Sequence, residues 1–287
     1  MVNNELRALV SLLDEPNESN YLHIQERIFK YGADVIPVLE DVWENSFDEL
    51  IQQRIENIIH IINFKQIKED LFDCITQTPT DLLRAFFLIS KFQYPELNYD
   101  TIYSKFNTIR KDLWLEMNPN LTALEQIKVL NHVFFEIHQI KPNKDSQRSF
   151  NLLFINNLLD SKSGNPLSLG MLYLILAQSL HLPVFAVNIP QNLILCFSKG
   201  LSKLEKADIL FYINPFNNGI LFTYKEIDLF IKQSELEKSD KYYLPCQNTD
   251  LLLLLLNALK SEYLKNVDNM RVDEINEMIE MIKSVIE

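Results

Sequence analysis

The sequence predicts an α+β protein, mainly α: a helical amino-terminal region, a core in which a small antiparallel sheet packs on a buried helix, and a helical carboxy-terminal tail. Three observations predict this. Apolar residues recur at helical spacing through the first 140 or so positions. Short runs of strand character, "PVFAVNI", "NLILCF" and "ILFYINPF", begin after Leu182. Helical spacing then returns from Ser234 onward.

Composition sets the outer bounds. With 287 residues, 47% of them hydrophobic, the chain has material for one large or two modest cores. Its formal net charge of -12 excludes nucleic acid and anionic membrane surfaces as expected partners, because both demand clustered Lys and Arg to displace counterions. The aliphatic run Leu251 to Leu256 is too short to span a bilayer. Cys74, Cys196 and Cys246 are odd in number and widely spaced, so neither a disulfide framework nor a CxxC site is expected. The opening "MVNNELRALVSLLDEP" lacks a charged-then-apolar leader, and a reducing cytoplasm is the expected compartment.

In residues 1–65, "YLHIQERIFKYGADVIPVLEDVWENSFDELIQQRIENIIHIINF" places apolar residues near helical spacing, with breaks at Gly32 and at Ser46-Phe47-Asp48. The pattern resembles HEAT-type repeats, a weak match over one or two units, and plain packing of amphipathic helices is the better account of it. Residues 66–148 continue as helices bounded near Pro79, Pro95 and Pro119. Among them Thr122 and Glu125 form a capping box, and Ile127, Leu130, Phe134 and Ile137 line one face. In residues 149–233, the strand runs turn at "NNG" into "ILFTYKEIDLFI". Residues 234–287 end in a helix whose Ile275, Met278, Ile279, Ile282 and Ile286 form a packing stripe.

The buried helix lies in "DSKSGNPLSLGMLYLILAQSLHLPV". Pro166 suits the first helical position, where its missing N–H is no loss, and Asn165 suits the cap. Apolar residues from Leu167 to Leu180 cover all sides, so the helix is expected to be enclosed by protein, with its positive end at a cleft.

The order "FNLLFINNLLDSKSGNPLSLGMLYLILAQSLHLPVFAVNIPQNLIL", followed by "FYINPFNNG", resembles the transglutaminase-like superfamily, and within it the bacterial SirB-type proteins. The preceding helices resemble the amino-terminal part of such proteins, and the last helices their tetratricopeptide-related tail. The resemblance implies a papain/transglutaminase-like core over residues 149–233. In catalytic members, a Cys at the start of the core helix, a His on the next strand and an Asp on the following strand form a triad. Those positions fall here on Pro166, Asn192 and Asn214, none of which attacks carbon or moves a proton. The resemblance therefore implies a pseudoenzyme with no catalytic residues.

Ser168 needs a base, and His181 is thirteen positions further on, roughly 20 Å at the helical rise. Cys196, on a strand, is expected to be a buried, inert thiol. His132 and Glu136 share a helix face without a third ligand, and His138 points elsewhere, so no metal site is expected. No glycine-rich phosphate loop is present, and no cofactor is expected. Asn165, Ser168, Asn192 and Asn214 could line a polar ligand cleft, or the two strand-end amides could simply close turns beside Pro190 and Pro215. The expected function is a non-catalytic binding or scaffolding module for a protein or peptide partner. The alternative is an amide hydrolase or acyltransferase using Ser168 or Cys196.

Overall fold

The computed structural model describes residues 4–144, 150–189, 192–200, 205–237 and 239–286. It divides into two compact units, Met1–Asp70 and Leu71–Glu287.

In the first unit, helices α1 (Asn4–Val10), α2 (Glu18–Phe29) and α3 (Ile36–Asn45) share a core with the leading part of α4 (Glu49–Gln77). Asn17 starts α2 by accepting from the Asn20 amide, and Asp48 starts α4 by accepting from the Leu50 amide at 2.8 Å. Leu9, Leu13, Ile28, Leu39, Ile55 and Ile58 form the buried centre. Arg54 closes it: Nη1 donates to the Leu13 and Glu15 carbonyls at 2.8 Å each, and the guanidinium lies 3.9 Å from the Tyr21 ring centroid.

The second unit is built around one helix, α9 (Pro166–Ser179). Helices α5 (Leu82–Gln93), α6 (Tyr99–Glu116) and α8 (Ile155–Ser161) surround it, together with α11 (Asn248–Lys265), which pairs with α12 (Asn269–Ile286). Every residue from Ser168 to Ala177 is buried, so α9 has no solvent face. The four-stranded antiparallel sheet, in order β3 (Val184–Ile189), β4 (Asn192–Ser198), β5 (Ile209–Asn214) and β6 (Ile220–Phe222), lies against it. Close approach is possible because position 170 is glycine: a Cβ there would stand 2.9 Å from Leu193 Cδ2.

Two local expectations are corrected. The run after "NNG" is strand only to Phe222, because Thr223 and Glu226 form a capping box that starts helix α10 (Tyr224–Gln233). The Thr122–Glu125 box does start α7 (Ala123–Asn131), but the chain then widens into a π turn over His132–Ile137. That extra residue per turn rotates the stripe, so Phe134 is buried while Ile137 is 44% exposed. On α12, Ile275, Met278, Ile279 and Ile282 are buried, and Ile286 is exposed at the helix end. No helix among the described residues is long and apolar enough to cross a membrane.

Candidate functional site

The start of α9 is set by a short parallel pair, β1 (Lys141–Pro142) with β2 (Ser163–Gly164). The Lys141 amide donates to the Lys162 carbonyl at 2.8 Å, and the Asn143 amide to the Gly164 carbonyl at 2.9 Å. These bonds anchor the chain immediately ahead of the helix.

Asn165 then caps it. Its Oδ1 accepts from the Ser168 amide at 2.9 Å and from the Ser168 hydroxyl at 3.1 Å, while the Asn165 amide donates to Ser168 Oγ at 3.3 Å. Both side chains are buried, Ser168 completely. Pro166 occupies the first helical position, where no amide is needed. Ser168 Oγ therefore has its proton committed to Asn165 and a lone pair committed to the backbone. Among the described residues no imidazole or carboxylate bonds to it.

Asn214 stands at the end of β5. Its Oδ1 accepts from the Asn217 amide at 3.2 Å, which opens a single 3₁₀ turn, Pro215–Asn217, and its carbonyl accepts from the Gly219 amide at 2.9 Å. Its bonds are to its own turn, and none joins it to Asn165 or Ser168. Asn192 opens β4 opposite Ile189, and its side chain lies outside the described residues, as does Pro190.

The turn after Asn214 is fastened by two residues that sequence reading passed over. Asn131, the last residue of α7, donates from Nδ2 to the Gly219 carbonyl at 3.0 Å. Its Oδ1 accepts from the hydroxyl of Tyr173, at 2.7 Å, from the middle of α9. Tyr173 is fully buried, with its ring edge-on to Phe134 at 5.3 Å. The available signal was a tyrosine within the apolar stretch Leu169–Ala177, since a buried hydroxyl must find a partner.

Cys196 faces away from this region. Strand alternation puts Leu193, which touches Gly170 of α9, on one face of the sheet. Ile194 and Cys196 are on the other, in a cluster with Tyr212, Ile227 and Ile231. Burial, with Cys246 nearby, pushes the Cys196 thiol up to about 12, and burial with Asp250 does the same to Cys246. Burial also raises Cys74. At neutral pH all three are thiols, the form that neither attacks carbon nor binds metal.

Three imidazoles of this unit take other positions. His132 Nδ1 pairs with Glu136 Oε2 at 2.8 Å, and His138 Nε2 with Asp112 Oδ2 at 2.8 Å. His181 lies beyond the far end of α9. Among the described residues no group of three or more His, Cys, Asp or Glu is placed to hold a metal ion.

Comparison with known proteins places this geometry. A family model described as transglutaminase-like superfamily matches residues 100–257, more than half of the chain. A UPF0162 protein of Buchnera aphidicola subsp. Schizaphis graminum is 28% identical over 165 residues, covering 56% of this chain and 56% of that protein. The UPF0162 protein YchA of Escherichia coli K12 is 26% identical over 154 residues, covering 52% of this chain and 54% of that protein. F-box only protein 21 of mouse is 28% identical over 109 residues, 37% of this chain and 17% of the mouse protein. The chain thus spans about half the length of these bacterial relatives and a small part of the F-box protein. No solved structure matches it.

Proposed function

The chain belongs to the transglutaminase-like superfamily, and from that premise we propose that it is a non-catalytic member, a binding or scaffolding module for a protein or peptide partner in a reducing cytoplasm. Within the superfamily we read it as one of the bacterial SirB-type proteins, on the resemblance carried by residues 149–233.

One observation carries the proposal. Where the superfamily's chemistry calls for a nucleophile backed by an imidazole, this helix starts with Pro166, and the nearby hydroxyl of Ser168 is bonded to Asn165. An amide neither accepts nor returns a proton at any accessible pH, so a Ser168–Asn165 pair lacks the base that acyl transfer requires. What the pair does instead is cap the buried helix.

The test is turnover and labelling of the full chain. Glutaminyl peptide, plain peptide and ester substrates are expected to remain unchanged, and fluorophosphonate and iodoacetamide probes are expected to react no faster than with model alcohols and thiols. Turnover that Ser168→Ala or Cys196→Ala abolishes, with the fold retained, would establish the acyl-transfer alternative.

A further inference from the structure

The second unit also holds a cavity of about 860 Å³ at the opposite, carboxy-terminal end of α9, a size within the range of roughly 300–1,000 Å³ common for small-ligand sites. One wall is a stripe on α6. Tyr99, Tyr103, Phe106 and Arg110 recur at intervals of four, three and four, so they stand one above another on a single helix face. The three rings form a stepped surface, with Tyr99 and Tyr103 centroids 6.0 Å apart and those of Tyr103 and Phe106 6.4 Å apart. Arg110 ends the stripe.

The charges on this lining are unequal in availability. Asp81 also borders the cavity, but its Oδ1 accepts from the Arg84 amide at 3.0 Å and caps α5. Arg110 Nε donates to Asn107 Oδ1 at 3.1 Å, and among the described residues no carboxylate takes its terminal nitrogens. The end of α9 and the start of α11 add polar side chains to the lining, where Gln178 Nε2 reaches Asn248 Oδ1 at 3.4 Å and Ser179, His181 and Thr249 also border the cavity. Such a lining offers ring faces to an apolar body and the two terminal nitrogens of one guanidinium to an anionic end.

We infer that this cavity binds a small aromatic or aliphatic carboxylate, its apolar body against Tyr99, Tyr103 and Phe106 and its carboxylate on Arg110. The inference rests on the binding-module reading, to which it supplies a site and a ligand class. A chain of net charge -12 repels anions at long range, so recognition here is short-range and depends on Arg110 itself.

The experiment is calorimetric titration of the full chain with 3-phenylpropionate, indole-3-acetate and octanoate, with 3-phenylpropionamide as the uncharged counterpart. Saturable one-to-one binding of at least one carboxylate below about 1 mM is expected. Arg110→Gln should weaken it about tenfold or more, and Tyr103→Ser should weaken it too, whereas Lys128→Gln, at an exposed position of α7, should not. Arg110 and Tyr103 are both partly exposed, so their variants are expected to fold, which circular dichroism melting checks. Absence of saturable binding, equal affinity for the amide, or an Arg110→Gln variant within twofold of the parent would overturn the inference. Turnover at the other end of α9 with carboxylate binding intact would overturn the non-catalytic reading alone.

Discussion

The Tyr173 hydroxyl donates to Asn131 Oδ1 at 2.7 Å, joining the middle of the buried helix to the last residue of α7, and Asn131 passes that restraint on to the Gly219 carbonyl. A helix, a second helix and a sheet turn thus meet at one amide. The turn that follows Asn214 is held in place by this link.

Replacing Tyr173 with Phe removes one hydroxyl and leaves the part-buried Asn131 Oδ1 short of a donor. A loss of about 1–3 kcal/mol is expected in urea unfolding, with the slope unchanged. A variant as stable as the parent would show that the bond contributes nothing.

Gly219 is constrained twice. Its φ is +67°, and a Cβ would lie 1.9 Å from Asn131 Oδ1. Gly219→Ala should therefore cost more than the about 1 kcal/mol usual for an added Cβ at positive φ. Gly32, with φ +56° and open space around it, should show only that smaller cost in its own unit. In a double-mutant cycle, Asn131→Ala should recover part of the Gly219→Ala penalty, because it removes the clashing atom.

Asn165→Ala and Ser168→Ala each break the same reciprocal cap. Each is expected to cost about 1–2 kcal/mol, and the double variant less than the sum, since either substitution alone already dissolves the pair. Simple additivity in chemical denaturation would mean that the two act separately.

The buried thiols set an alkaline limit. Cys196 and Cys246 ionise near 9.0 in an unfolded chain and at about 12 when folded. Folded-state values raised in this way contribute stability that is fully present below pH 9 and is lost as pH rises toward 12, because only the unfolded chain gains the thiolates over that window. Unfolding free energy measured from pH 7 to 11 should fall above 9, and Cys196→Ala should flatten part of that decline. Native-state iodoacetamide labelling at pH 7 should be slow at both sites.

Several features were readable from short stretches. Asn165 followed by Pro166 marks a helix start whatever surrounds it, and Thr122 with Glu125 marks another, because each signal is completed within one turn of chain. The all-round apolar character from Leu167 to Leu180 likewise announces a helix with no solvent face. Strand alternation in "NLILCF" separates Leu193 from Cys196 before any fold is known, and so assigns them to opposite faces.

Other features depended on distance in space. Ile137 reads as a core residue by spacing, yet the π turn at His132–Ile137 turns it outward. Ser168 reads from the sequence as a local backbone partner far more readily than as a nucleophile, and its bonds to Asn165 show which partner it takes. The stripe Tyr99, Tyr103, Phe106 and Arg110 is visible in the sequence, but only the end of α9 and the start of α11 make it one wall of a cavity.

The sequence by itself determined that helices start at Asn165-Pro166 and at Thr122, that strands begin after Leu182, and that Pro166, Asn192 and Asn214 carry no nucleophile or titratable group, since those depend on residue identity and on neighbours within about four positions. The tertiary structure alone decided that Asn131 holds a turn 88 residues away, that Cys196 looks away from α9, and that an arginine is left with an open face beside three rings. Hydrogen bonds and cavities of that kind join groups that only loop closure brings together, and no local pattern encodes the closure.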